Sequence, residues 1–225
     1  MEHERGATGQ TTNRQVSTGP HWAQRPGGGI AWVGGAAYAS GVSGLLANLS
    51  LVLFFIFGQS LLGSLSDIGG VPQFALMIPV AVAMNRLLQR RGSAVDWLVM
   101  VVGVVTMGAT VTLGLLLIGG VLTSDQQMPI ITVTIEVVAL WLAVAMYRAR
   151  RKEILPARLA QVGMTVGEAL LAGGALVAVS LLLPGPAVLK TLSLGLGIAI
   201  GGLGWLALPA WTMWLGRQLV HRAQA

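Results

Sequence analysis

The chain has 225 residues, 54% of them hydrophobic and only 10% charged, whereas an ordinary soluble domain is about a quarter charged. So few polar side chains cannot cover a water-facing surface, and a bilayer is the solvent that fits. The net charge of +6 sits in short clusters between apolar runs, as in cytoplasmic loops, which excludes the basic face of a nucleic-acid-binding fold, and the absence of cysteine excludes disulfides, thiolate metal sites and cysteine nucleophiles.

Residues 1–29 are polar and rich in Gly, Thr, Gln and Pro. They carry too few apolar groups to offset the entropy of ordering, so a disordered cytoplasmic tail is expected. No apolar core follows as in a signal peptide, and His3 and His21 read as solvated tail residues. Residues 30–41 are weakly apolar, with Trp32 and Tyr38 suited to the headgroup zone. They form an interfacial segment or an early extension of the first span.

The first span is expected over 42–65, with Asn48 as an interhelical hydrogen-bonding residue. A loop over 66–71 follows, holding Asp67. The second span, 73–88, is short for a bilayer that needs about 20 residues. Pro79 removes a donor from it and kinks it. The third span, 97–122, opens on Asp96, which can serve the free amides of its first turn, and on Trp97 as an interface anchor. Its Gly103, Gly108 and Gly114 let helix backbones approach closely. A loop over 123–129 carries Asp125 and no positive charge.

The fourth span, 130–147, holds Glu136, and the fifth, 160–183, holds Glu168 and the pair Gly163-x3-Gly167. Between them lies the densest positive cluster of the chain: Arg148, Arg150, Arg151, Lys152 and Arg158. Pro184-Gly185-Pro186 stops the fifth span. The sixth, 191–215, carries Gly197-x3-Gly201 as a packing pair, then Pro209, Trp211 and Trp214. With both termini inside, every Lys and Arg except Lys190 falls on the inner side. The expectation is therefore an all-α polytopic transmembrane bundle of six spans, N-in/C-in, with residues 42–219 as one domain. Residues 81–86 (Ala-Val-Ala-Met-Asn-Arg) echo 143–148 (Ala-Val-Ala-Met-Tyr-Arg); a duplicated hairpin of the second–third and fourth–fifth spans is one reading, and the shared composition of inner helix ends is the favoured one.

Glu136 and Glu168 are the candidates for chemistry. A charged acid at the centre of a span costs about 2.5–3.5 kcal/mol on insertion scales, so intramembrane carboxylates are functional candidates by default. Their places in the two spans leave them about 9 Å apart in depth. A proton or cation path through both, linked by water and by Thr132 or Thr134, is one reading. Neutral acids hydrogen-bonded between helices are the other. The basic cluster suits anionic lipid headgroups, although topology alone explains it. The run from Gly195 to Gly201 lacks the G-x-G-x-x-G spacing and any preceding strand. No histidine lies in a span, and no nucleophile elbow or phosphate loop is present. No catalysis, cofactor or metal is expected.

Ile154-Leu155-Pro156 leads into a Gly-rich span, and the last helix ends Leu208-Pro209-Ala210-Trp211-Thr212-Met213-Trp214-Leu215-Gly216-Arg217. These features resemble a bacterial family of six-span integral membrane proteins of unknown function, over residues 42–219. The resemblance implies six helices in a bacterial inner membrane and transfers no activity or site residue. Three functional readings follow: a non-enzymatic partner that assembles with other membrane proteins or with itself, a small proton- or cation-coupled transporter or channel, and a sensor using its cytoplasmic tail.

Overall fold

The computed structural model describes residues 28–88, 94–182 and 186–224. Within them lie six α-helices and no strand: α1 Gly28–Phe57, α2 Ser60–Leu88, α3 Ala94–Ile118, α4 Ser124–Arg151, α5 Ala157–Leu182 and α6 Ala187–Gln224. All six are long and apolar enough to cross a membrane. Phe55, Leu181 and Leu203 face outward with 76%, 71% and 69% of their surface exposed. A water-soluble monomer does not carry apolar surface on that scale, so the chain is a multi-pass membrane protein.

Each helix packs antiparallel on its neighbours in sequence, and α1 closes the ring against α6. The core fills the middle of that ring with Met77, Met84, Met107, Trp141, Leu142, Trp211 and Leu215. Lipid is as apolar as these side chains, so close backbone approach, more than burial, holds such helices together. Glycines supply it at several seams. A Cβ on Gly34 would meet Gly216 O at 2.9 Å, and one on Gly216 would meet Gly34 O at 2.6 Å, which fixes α1 on α6. Gly69 opposes Ala47 between α1 and α2, and Gly103 lies under the Trp141 indole between α3 and α4.

The proline break in α6 is compensated from outside. Pro209 in α6 has no N–H, so the carbonyl of Trp205 one turn earlier loses its helical partner. The Asn48 amide of α1 donates to that carbonyl at 3.0 Å. Transmembrane helices tolerate proline where a neighbour satisfies the freed group in this way. Two further side chains of α1 bond the backbone of α2: Ser43 Oγ donates to Gly69 O at 2.8 Å and Ser40 Oγ to Gln73 O at 2.8 Å.

Several helix ends differ from expectation. The first turn lies at Gly58-Gln59, not over 66–71, which is inside α2. Gly58 takes φ +67 and donates to Phe54 O at 2.8 Å, a left-handed stop that glycine adopts without strain. Residues 30–41, read as an interfacial segment or an early extension of the first span, lie in the opening of α1, and the second helix is 29 residues long rather than short. The loop expected over 123–129 is helical from Ser124, where Thr123 as N-cap and Gln126 form a reciprocal capping box. The basic loop is cut from 148–158 to a few residues, since α4 continues to Arg151 and α5 starts at Ala157. The tail of residues 1–27 lies outside the described residues.

Candidate functional site

The antiparallel ring gathers Arg86, Arg148, Arg150, Arg151, Lys152, Arg158, Arg217 and Arg222 at one end of the bundle, where α1 starts and α6 ends. Lys190 lies at the opposite end, at the start of α6. Arg90 and Arg91 lie outside the described residues.

The basic cluster is less of a surface patch than the sequence suggests. Arg148 Nε lies 2.8 Å from Asp96 Oδ1, and Lys152 Nζ lies 2.9 Å from Asp96 Oδ2. The Asp96 side chain has no exposure, and the two cations keep 20% and 26%. Lys152 Nζ also donates to Leu88 O at 2.8 Å. The buried carboxylate thus ties the end of α4 to the start of α3, and the Lys152 ammonium ties it to the end of α2. The Arg148 contact is charge attraction without an aligned hydrogen bond, because Oδ1 has no directed donor. Arg151 stacks over the Tyr147 ring at 5.1 Å, and Arg150 donates to Gln161. Arg158 is exposed. From the sequence Asp96 reads only as a helix-start acid. Its partners become visible with the antiparallel α3–α4 pairing, which brings 96 opposite 148 and 152.

Glu136 and Glu168 have different surroundings. Glu136 is half-buried on α4, and its carboxylate covers Gly174 of α5, so that a Cβ there has no room. Glu168 is exposed on the outward face of α5. It stands about 16 Å from the start of that helix and about 21 Å from its end, near the middle of α5. Gly174 is six residues from Glu168, which separates the two carboxylates by about 9 Å along the helix. Thr132 and Thr134 donate to their own helix, at Met128 O (2.7 Å) and Ile131 O (2.9 Å).

The packing glycines meet different neighbours. Gly163 lies against the Trp211 indole and Met146, and Gly167 against the backbone of Ala139 and Ala143. Gly197 and Gly201 of α6 both oppose Gly173 of α5. Sequence reasoning misses Gly173, the α5 half of that crossing. Small residues are so frequent between Ala169 and Ala178 that spacing alone does not single it out.

Two cavities stand out. The first is enclosed at the centre of the ring, about 10 Å³ in volume, and is lined by Gln73, Met107, Trp141, Leu208 and Thr212 among others. That is the space of one water molecule. Gln73 Oε1 is buried there without a hydrogen-bond partner. The second is an open groove of about 420 Å³ between α2 and α3 at the basic end. Neither Glu136 nor Glu168 lines either one. Among the described residues, no three His, Asp or Glu side chains converge to hold a metal.

No protein family, curated protein or solved structure matches the chain. The resemblance to a six-span family therefore reduces to what the helices themselves show: six apolar spans without a family assignment.

Proposed function

We propose that this is a non-catalytic, multi-pass inner-membrane protein that assembles with a second copy of itself through the outward face of α5. Glu168 carries the proposal. A charged carboxylate facing lipid near mid-membrane costs about 2.5–3.5 kcal/mol, and Glu168 is exposed, with no neighbouring helix of its own chain laid over it. Two copies inserted in the same direction bring like positions together across a two-fold axis. On that face Thr165 offers a hydroxyl one turn from Glu168, and Ala172 and Ala175 are exposed and small. Small residues permit close approach, and a buried polar contact between membrane helices adds about 1–2 kcal/mol in model peptides. The positive end of the bundle favours a cytoplasmic location for the start of α1 and the end of α6. The transport reading needs one water-filled path touching both acids, and their opposed settings on α4 and α5 count against it.

The lack of cysteine makes the test direct, because any introduced thiol is unique. Ala172→Cys is expected to form a disulfide-linked dimer on oxidation in membranes. Ile68→Cys, on the far side of the ring in α2, is not. Equal yields from both positions would refute the proposed face.

A further inference from the structure

In the ring α1 lies between α2 and α6, and it meets both with glycine. A Cβ on Gly44 would stand 2.7 Å from Gln73 Oε1 of α2. One on Gly41 would stand 2.5 Å from Pro209 O and 2.7 Å from Thr212 Oγ1 of α6. Residues three apart are neighbours on a helix surface, so the two glycines admit a polar side chain from each flanking helix at one level of α1. Gln73 and Thr212 both line the enclosed central cavity of about 10 Å³. Phe74 of α2, also in that lining, packs on Trp205 of α6 with ring centroids 6.0 Å apart.

Two acceptors are left over at this place. Gln73 is 2% exposed, and its Oε1 has no partner among the described residues. The Thr212 hydroxyl has a single hydrogen, which it donates to Pro209 O at 2.8 Å, so its oxygen can only accept further. Thr212 has no exposed surface, and neither oxygen reaches solvent. A buried acceptor without a donor is costly. A cavity of about 10–15 Å³ holds one water when two to four polar groups meet it. One water brings two hydrogens to these two acceptors. A metal ion fits less well, because no carboxylate lines the cavity to balance its charge.

We infer that the cavity binds one structural water, which donates to Gln73 Oε1 and to Thr212 Oγ1 and so joins α2 to α6 across the glycine face of α1. Thr212 follows Pro209 by three residues, so the water is a second outside tie to the stretch of α6 that the proline interrupts, beside the Asn48 amide. No residue of α5 lines the cavity, so the water and the dimer face stand or fall separately.

Nuclear magnetic resonance of the full chain in nanodiscs of deuterated lipid, with the methionine methyl groups labelled, tests it. Met107 lines the cavity and has no exposed surface, so only an internal water reaches its methyl group. A cross-peak between water and Met107 is expected. None is expected at Met146, which is 1% exposed and outside the lining. Gln73→Leu should lose the Met107 cross-peak. It keeps the Thr212 hydroxyl, so that loss separates a bound water from exchange relayed through the hydroxyl. Thr212→Val should lose the cross-peak as well, both variants being checked for a cooperative unfolding transition. No cross-peak in the native chain would overturn the site, as would one that survives in either folded variant. Equal cross-peaks at Met107 and Met146 would mean diffuse wetting of the core and overturn it too. A native unfolding temperature that rises in sodium chloride over choline chloride, with no such rise in Gln73→Leu, would assign the cavity to a cation instead.

Discussion

Replacing Asn48 by leucine should destabilise the bundle through a group 157 residues away in the chain, the carbonyl of Trp205. That carbonyl is orphaned by Pro209 and accepts from Asn48 Nδ2 at 3.0 Å. An average side-chain hydrogen bond inside a membrane contributes only about 0.6 kcal/mol, with a maximum near 1.7. Leaving a buried acceptor unpaired costs about 1–3 kcal/mol. Asn48 is 3% exposed, so no solvent or headgroup replaces it, and a loss of about 1–2 kcal/mol is expected. The control lies in the proline. In a Pro209→Ala background the new N–H at position 209 reaches Trp205 O within the helix, and Asn48→Leu should then cost less than about 0.5 kcal/mol. The four proteins form a double-mutant cycle, read by reversible unfolding in mixed micelles, with a coupling of about 1 kcal/mol. Equal losses in both backgrounds would refute the idea that Asn48 compensates the proline.

Asp96→Asn removes the charge that holds Arg148 and Lys152 at the α3–α4 end. It should cost about 2–3 kcal/mol in the same unfolding assay, below the full penalty for breaking a buried pair because both cations can extend toward the headgroups. Gly173→Leu places a side chain where Gly201 and Gly197 O already stand. It should prevent α5 and α6 from closing and abolish a monodisperse peak in size-exclusion chromatography. Gln73→Met removes the Oε1 that accepts from the water inferred in the central cavity and should cost about 0.5–1.5 kcal/mol. An unchanged or raised thermal unfolding temperature would mean that Oε1 is unpaired in the native chain.

The apolar runs make the fold class and the number of helices legible, because a span is a composition averaged over about 20 residues. Turns are less legible, since they depend on single residues. Gly58 ends α1 by a left-handed conformation inside a stretch that hydropathy reads as continuous, and Thr123-x-x-Gln126 starts α4 before the apolar run that marks it. Both signals are present in the sequence as capping residues, but apolar averages outweigh them. Asn48 is legible as a polar residue needing a neighbour, though not that the neighbour is the carbonyl freed by Pro209. The candidate site is legible only as a set of residues without an arrangement. That Glu136 turns onto Gly174 while Glu168 turns outward depends on the rotation of α4 and α5 about their axes. In helices apolar on nearly every side, no polar face fixes that rotation.

The outward Glu168 is most directly tested by energy transfer between donor- and acceptor-labelled copies in liposomes, measured as protein is diluted into lipid. Labels on a cysteine introduced near the end of α6 would keep α5 untouched. The native chain should stay associated on dilution, and Glu168→Leu should dissociate at least tenfold more readily, the equivalent of about 1.4 kcal/mol. A native chain that is monomeric at every dilution, or a leucine variant that associates equally well, would contradict an α5 interface built on that carboxylate.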